Sequence, residues 1–143
     1  MQISTKGRYG LRAIVDLAKH AQEMPIPINN IAVRQDISER YLEQLMAKLK
    51  KAELVKSVRG ANGGYILGKE CEDISVGDVL RALEGNLESA DCKGFLEKDA
   101  CESADGCMVK FVWQKIDDSV NATVDKITIK ELLTQNNGRQ DYE

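Results

Sequence analysis

The sequence has no apolar run that approaches the roughly eighteen residues of a membrane-spanning helix. The segment from Met1 to Arg12 also lacks the apolar stretch of a secretory signal peptide. Both absences predict a cytoplasmic protein without a membrane partner, whose cysteines are reduced and do not form structural disulfides. The chain also shows no pairing of nucleophile and base and no phosphate-binding loop, which argues against an enzyme.

Charge is divided unevenly along the 143 residues. Residues 1–65 carry 11 Lys and Arg against 6 Asp and Glu, a balance of +5, whereas residues 66–143 carry 9 against 17, a balance of −8. A basic first half and an acidic second half fit a polyanion-binding module joined to one that does not bind polyanions. Two solvated faces of opposite charge would give the same totals, so charge alone does not show whether the first half binds a polyanion.

The first 67 residues follow the order of elements in a winged helix. Ser4 can cap a first helix with apolar residues at helical spacing, and a short second helix is expected over residues 29–35. A tight turn at Asp36 precedes a third helix, which Ser38 is suited to cap. Two helices joined by a short turn, the second with a polar outer face, form a helix-turn-helix pattern.

A glycine-rich hairpin follows the third helix. Leu54–Val58 and Gly64–Leu67 are expected to form short strands, with Arg59–Gly63 as the tip. Each piece alone could belong to packed helices or to any tight hairpin, but their order indicates the wing of a winged helix. Arg59, at the shoulder of the tip, is suited to the narrow and electronegative minor groove of DNA.

The residues expected to contact DNA lie on the first helix, the outer face of the third helix and the wing. Gln44 can pair bidentately with adenine and Glu43 can accept from cytosine N4, whereas the basic residues position the protein on phosphates. Their complete set is Lys6, Arg8, Ser38, Arg40, Tyr41, Glu43, Gln44, Lys48, Arg59, Gly60 and Asn62. The opposite, buried stripe of the third helix is Leu42, Leu45, Met46 and Leu49.

The second half predicts a long helix that is shared with a partner. A capping box at Ser75 opens a fourth helix, which ends near Gly85. An apolar series then runs from Cys107 to Ile127 and fits about five helical turns, or about 27 Å. Its two apolar flanks indicate either deep burial or a two-helix dimer interface, and we favour the dimer. The interface residues are Val109, Val112, Trp113, Ile116, Val120 and Val124.

These elements divide the chain into four parts. Residues 1–85 are expected to form the winged-helix domain, and residues 86–106 a cysteine-rich sensor loop. Residues 107–135 are expected to hold the dimerisation helix and a terminal helix opened by Thr128, before a disordered tail over 136–143. The predicted fold class is therefore mainly α with a small β-hairpin, a winged helix-turn-helix with a long C-terminal dimerisation helix.

Three of the four cysteines lie close together, with eight residues between Cys92 and Cys101 and five between Cys101 and Cys107. Structural zinc sites usually contain close C-x2-C pairs, which are absent here. Irregular spacing suits an iron–sulfur cluster, while a thiol redox switch, zinc or inert cysteines remain open from spacing alone. Cys107 is expected at a helix start, where the dipole favours thiolate. Cys71 is separate and is expected to be a half-buried free thiol.

Three blocks of sequence carry a family resemblance: Lys6–Gly10, Tyr41–Leu45 and Val58–Tyr65. Together they resemble the bacterial winged-helix regulators of the IscR, NsrR and CymR type. The resemblance implies a homodimer that crosses two long helices and reads a palindromic site in double-stranded DNA. Its IscR-like branch implies an iron–sulfur cluster on Cys92, Cys101 and Cys107, with 2Fe–2S favoured over 4Fe–4S.

The chain departs from that resemblance at the fourth ligand. Lys110 stands where the IscR-like pattern has a histidine, and Arg8 stands where the NsrR-like pattern has an acidic residue. A protonated ammonium group cannot ligate iron, although it could offset the negative charge of a cluster. The remaining candidates are Glu97, Asp99, Glu102, Asp105, Cys71, a cross-subunit side chain or a small exogenous ligand.

The predicted function is a homodimeric regulator of transcription that senses cluster status through these three cysteines. Cluster binding is expected to order the loop and change the spacing of the two winged helices across the dimer. One alternative is a repressor without a cluster, controlled by thiol redox or by a protein partner as in the CymR type. Another is a cluster carrier that does not bind DNA.

Overall fold

The structure, a computed structural model, describes residues 2–21, 23–89 and 107–136. Within these ranges the helices and strands follow the predicted order, and the hairpin β1–β2 is antiparallel with Val55 opposite Leu67 and Val58 opposite Gly64. The fold is mainly α with a small hairpin, as predicted. The helices are α1 Thr5–His20, α2 Ile28–Gln35, α3 Glu39–Lys51, α4 Val76–Glu84, α5 Lys110–Lys126 and α6 Ile129–Asn136, and the strands are β1 Val55–Val58 and β2 Gly64–Leu67.

Helix starts follow the predicted caps in the first two-thirds of the chain. Ser4 accepts a hydrogen bond from the backbone N–H of Lys6, and Ser38 accepts one from that of Tyr41. Ser75 forms the expected capping box with Asp78. Each cap satisfies backbone donors that the first turn of a helix leaves unpaired, so it sets where the helix begins.

The start of α5 differs from the prediction. The helix begins at Lys110 rather than at Cys107, and it has 17 residues, or about 25 Å. Val109, the residue before it, carries no side-chain acceptor for the first-turn N–H groups. The spacing of apolar residues identifies one face of a helix but not its first residue. Because no capping residue marks the start of α5, the prediction placed that start three residues too early. Cys107 therefore precedes the helix by three residues and does not share a helical face with Lys110.

The main core lies among α1, α2, α3 and α4. The predicted stripe of α3 is almost fully buried, with Leu42, Leu45, Met46 and Leu49 each at most 1% exposed. Ile14 and Leu17 of α1 and Val79 of α4 pack into the same cluster. Ile129, at the start of α6, joins them with no exposed surface. The terminal helix therefore closes the core of the winged helix, although it follows α5 in the chain.

The wing has a third strand-like contact that the sequence did not suggest. Ile26 donates its N–H to the carbonyl of Tyr65 at 2.9 Å and accepts from the N–H of Tyr65 at 2.8 Å. Because the flanking Pro25 and Pro27 have no N–H, the pairing is confined to this one residue. Gly64, at a φ of +154°, brings its Cα close to Ile26, where a Cβ would lie 2.3 Å from the backbone. The base of the wing is thereby fixed to the link between α1 and α2.

Helix α4 packs closely against α1 because two glycines leave space for it. A Cβ on Gly10 would lie 2.1 Å from Leu83, and one on Gly7 would lie 2.7 Å from Glu84. The Glu84 carboxylate accepts hydrogen bonds from the hydroxyl and N–H of Ser4 and from the N–H of Gly7. It therefore caps the N-terminus of α1, where the helix dipole favours a negative charge.

Replacing Glu84 with alanine should lower the free energy of unfolding by about 1–3 kcal/mol at neutral pH, because three donors lose their acceptor. Burial tends to raise the pKa of Glu84, but hydrogen bonds from Ser4 and Gly7 and the charge of Lys6 outweigh it, so the pKa lies below its ordinary value of 4.5. The ionised group thus stabilises the fold above that value, and its contribution is lost as the pH falls through the folded pKa.

Urea unfolding of wild type and Glu84→Ala across pH 3–7 measures this contribution. The difference between the two should be largest at neutral pH and shrink below about pH 4. Glu88→Ala is the matched control, because Glu88 is an exposed carboxylate near the same end of α4. A difference that stays constant over the whole range would contradict the capping role.

Helix α5 lies along α4 on one side. Arg81 of α4 donates to Asn121 at 2.8 Å and forms an ion pair with Asp125 at 2.8 Å. Beyond α5, the N–H of Val76 binds the carbonyl of Ile127 at 2.7 Å, which ties the end of α5 to the start of α4. No helix in the described ranges is both long and apolar enough to cross a membrane.

Candidate nucleic-acid interface and cysteine site

The outer face of α3 is exposed along its length. Arg40, Glu43, Gln44 and Lys48 are all exposed, while the opposite stripe is buried in the core. The acidic Glu39 stands in the first turn and the last turn carries three lysines, an arrangement that complements the helix dipole. An exposed polar helix face can enter the major groove of B-DNA, where Gln and Glu side chains can form hydrogen bonds with base edges.

Tyr41 is held at the margin of that face. Its hydroxyl lies 3.1 Å from that of Thr5, and its ring meets Tyr9 edge-on with centroids 6.3 Å apart. The guanidinium of Arg12 stacks over Tyr9 at 5.4 Å and donates to the side chain and carbonyl of Gln35. These contacts orient α3 against α1, so Tyr41 has a positioning role that its sequence position did not reveal.

The wing tip and the first turn of α1 are also exposed. Arg59, Gly60 and Asn62 are exposed at the tip, as are Lys6 and Arg8 on α1. The structure thus leaves all of these predicted contacts free for DNA. It does not contain DNA, so their contacts remain predictions.

The shape of the tip depends on its glycines. Gly60 has a φ of +118°, and its carbonyl accepts from the N–H of Gly63 at 3.0 Å. A Cβ on Gly63 would lie 2.2 Å from the carbonyl oxygen of Val58. Lys50, near the end of α3, donates to the hydroxyl of Ser57 on β1 at 2.8 Å. The wing is thereby fixed to the helix that it flanks.

A buried carboxylate links α1 to α2. Asp16 is only 4% exposed, and it accepts from Arg34 at 2.7 Å and from Gln35 at 2.8 Å. Burial tends to raise the pKa of Asp16, but the hydrogen bonds of Arg34 and Gln35 and the charges of Arg34 and His20 hold it below its ordinary value. His20 lies one turn further along α1, with Nδ1 2.8 Å from the carbonyl oxygen of Asp16. The sequence did not predict the pairing of Asp16 with Arg34, which lies 18 residues further along the chain.

Of the three predicted cluster ligands, the structure describes one. Cys107 is a half-buried free thiol that lies three residues before α5, and Lys110 is the first residue of that helix. Cys71 is also free and half-buried, as predicted, in a short 3-10 turn over Cys71–Asp73. No three His, Cys, Asp or Glu side chains converge on a possible metal position in the described part of the chain. The remaining candidates, Cys92, Cys101, Glu97, Asp99, Glu102 and Asp105, lie outside the described residues.

The chain leading toward Cys92 is attached to α5. The N–H of Ser89 donates to Asp117 at 2.7 Å, and its hydroxyl donates to the carbonyl of Trp113 at 3.3 Å. Asn121 donates to the carbonyl of Leu87 at 3.3 Å. Cys92 therefore follows an anchored residue by three positions, just as Cys107 precedes α5 by three. Asp117 and Asn121 were not predicted, because their partners lie 28 and 34 residues away.

The residues predicted for dimerisation fall into two groups. Val109, Val112 and Ile116 are 50%, 46% and 40% exposed, and the neighbouring Phe111 is 65% exposed. The second group, Trp113, Val120 and Val124, is half-buried, and Val124 packs within the chain against Val76, Leu80 and Leu87. No residue of α5 is fully buried. Deep burial within the chain, the alternative explanation for two apolar flanks, therefore does not apply to α5.

Comparison with known proteins places these features in context. Residues 3–135 match the family model Rrf2, described as an iron-dependent transcriptional regulator. The chain is 40% identical over 133 residues to the HTH-type transcriptional regulator IscR of Serratia proteamaculans, covering 93% of this chain and 79% of that protein. It is 40% identical over 146 residues to IscR of Photobacterium profundum, covering 99% and 83%.

Two solved structures extend the similarity to the fold. T. potens IscR superposes with a TM-score of 0.78 at 43% identity, covering 100% of this chain and 93% of that one. CymR, the global cysteine regulator of B. subtilis, superposes with a TM-score of 0.76 at 41% identity, covering 94% and 98%. These values confirm the predicted winged-helix fold and the predicted family resemblance.

Proposed function

The chain belongs to the Rrf2 family and is a transcriptional regulator of the IscR type rather than an enzyme, and from this premise we propose a homodimeric DNA-binding sensor of iron–sulfur cluster status. The observation that carries the DNA-binding part is the exposed polar face of α3 beside a wing fixed to it. Glu43 and Gln44 read base edges in the major groove, Arg59 enters the minor groove, and Lys6, Arg8 and Lys48 hold phosphates.

The dimer forms through α5. Val112 and Ile116 of α5 and Val109 just before it are exposed, and they form an apolar series on the side that does not pack on α4. Two such helices, related by a two-fold axis, bury each other's apolar side chains and place one winged helix on each half of a palindromic operator. A single chain would leave these residues in water, which is unfavourable for a contiguous apolar surface.

Cys92, Cys101 and Cys107 bind the cluster as thiolates, and 2Fe–2S is favoured over 4Fe–4S. The donor set fits: three thiols suit iron and sulfide, and Cys107 is a half-buried free thiol three residues before α5. Lys110, at that same end, offsets part of the negative charge of the thiolates. A bound cluster supplies a centre that oxidants or iron shortage can remove.

A series of hydrogen bonds through α5 and α4 connects the cysteine-bearing segment with α1 in the winged helix. Ser89 joins the cysteine-bearing segment to Asp117, and Arg81 joins α5 to α4 through Asn121 and Asp125. Glu84, one turn after Arg81, caps α1. A change in the cysteine-bearing segment would therefore reach α4 and α1 through these contacts and would bias the spacing of the two winged helices across the proposed dimer.

A second candidate function has its own support. The likeness to CymR, together with Lys110 in the position where the IscR-like pattern has a histidine, fits a regulator controlled without a cluster. The two candidates share DNA binding and differ in the need for the three cysteines. Iron and sulfide contents after anaerobic purification separate them.

The test of DNA binding is Arg59→Ala on duplexes enriched from a random pool by the wild-type protein. We expect affinity to fall about tenfold, because a cation that fills a narrow minor groove is removed. Stability should not change, since Arg59 is exposed and has no ion pair among the described residues. Wild-type affinity itself should fall steeply with salt, as phosphate contacts require.

Lys126→Ala, which removes an exposed cation at the far end of α5, is the control and should bind like wild type. Equal affinity of Arg59→Ala and wild type would exclude the wing from the interface. The absence of salt-dependent duplex binding by the wild-type protein would reject a DNA-binding function and favour a cluster carrier.

A further inference from the structure

A cavity on the side of the winged helix is lined by none of the residues proposed to bind DNA or the cluster. It lies where α1, α2 and α6 meet, and its volume is about 670 Å³. Leu11 and Val15 of α1 and Leu132 of α6 form its apolar base, while Arg12, Lys19 and Arg34 stand at its rim. Cavities of roughly 300–1,000 Å³ with an apolar base and a few polar groups are the usual form of small-molecule sites.

The charges at the rim are not balanced. Arg34 is paired with the buried Asp16 at 2.7 Å. Arg12 donates only to the neutral side chain and carbonyl of Gln35, and stacks on Tyr9. Lys19 is exposed and contacts no carboxylate among the described residues. Two cations therefore lack an anionic partner in the described part of the chain.

The spacing of these cations limits what can fill the cavity. Arg12 and Lys19 are seven residues apart on α1, so their backbone positions differ by about 10 Å along the helix, with Val15 between them. An inorganic anion could pair with one of them but would leave the apolar base in water. A neutral apolar molecule would cover the base but leave both cations unpaired. An organic anion with an apolar body covers the apolar base and also pairs with a cation.

We propose that this cavity binds a small amphipathic organic anion, with its apolar body on Leu11, Val15 and Leu132 and its carboxylate, sulfonate or phosphate group paired with Lys19, while the charge of Arg12 adds to the attraction. The site is independent of the cysteines and of the recognition face of α3. One of its walls is α2, which precedes α3 by a single turn, so an occupant would contact the helix that supports the DNA-reading element.

The probe is 8-anilinonaphthalene-1-sulfonate, an aromatic sulfonate that fluoresces in apolar surroundings, titrated into the full chain. We expect saturable binding of one molecule per chain. Arg12→Gln/Lys19→Gln should weaken it at least about tenfold, because the cation that pairs with the sulfonate and the second positive charge nearby are both lost. Lys115→Gln/Lys126→Gln removes two exposed cations from α5 and should leave it unchanged. Octanoate should displace the dye, whereas octanol and sulfate should not.

Several outcomes would overturn the proposal. These are the absence of saturable binding, equal affinity in wild type and Arg12→Gln/Lys19→Gln, or loss of binding in Phe111→Ser/Val112→Ser, which would locate the dye on α5. If Arg12→Gln lowers the melting temperature, Lys19→Gln alone decides whether the cavity binds the dye, since Lys19 is exposed and has no hydrogen bond or ion pair among the described residues. That variant should bind about threefold more weakly, and unchanged affinity would reject the site.

Discussion

Val112→Asp is expected to convert the dimer to a monomer and to lower operator affinity by about a hundredfold or more. In the proposed dimer, the two-fold axis brings two new carboxylates close together in one apolar interface. Burying an unpaired charge costs several kcal/mol, more than the interface gains from one valine. A monomer then loses the gain from binding two half-sites at once, which is typically about 10²–10⁴ in affinity.

Sedimentation velocity and duplex binding at matched concentrations measure the two effects. Ala122→Asp is the control, because it adds an exposed carboxylate to the same helix outside the apolar series. The fold of Val112→Asp should stay intact, since α5 packs on α4 through its opposite side, at Asn121 and Asp125. A Val112→Asp protein that remains dimeric would place the interface elsewhere, and a monomeric wild type would reject the dimer.

Cys107→Ser is expected to abolish bound iron and sulfide and the visible absorption of the protein. Serine oxygen is a poor ligand for iron beside thiolates, and only two of the three proposed sulfur ligands remain. Stability should change by less than about 0.5 kcal/mol, because Cys107 is half-buried outside any helix and forms no disulfide. Loss of colour would then report the site and not unfolding.

Cys71→Ser provides a matched comparison, since Cys71 is also a free and half-buried thiol. It should retain the cluster unless Cys71 is the fourth ligand, in which case its spectrum shifts while Cys107→Ser stays colourless. Iron, sulfide and spectrum are measured after anaerobic purification. A colourless wild type, even after reconstitution, would favour control by thiols or by a protein partner.

The helices and the wing could be predicted from apolar spacing, capping residues and turn residues that lie close together in the sequence. Leu42, Leu45, Met46 and Leu49 recur at helical spacing, and Ser38 stands at the correct distance to cap α3, so the position and exposed face of that helix were predictable. The failure at α5 has a local cause too, because no capping residue marks its start at Lys110. The starts of α3 and α4, which have capping serines, were predicted to the residue, whereas the start of α5 was predicted three residues too early.

The features that place these elements against one another came from the tertiary structure. Ile26 pairs with Tyr65, Arg34 covers Asp16, and Glu84 caps α1 from 80 residues away in the chain. Every residue but proline has a backbone N–H and carbonyl, and charged side chains are common on exposed surfaces. The sequence therefore does not show which distant group each of them will bind. Periodicity and local caps such as Ser38 depend on neighbours within four residues, and the sequence alone determines them. Which buried or half-buried polar group meets which donor depends on how the helices pack, and only the folded chain decides that.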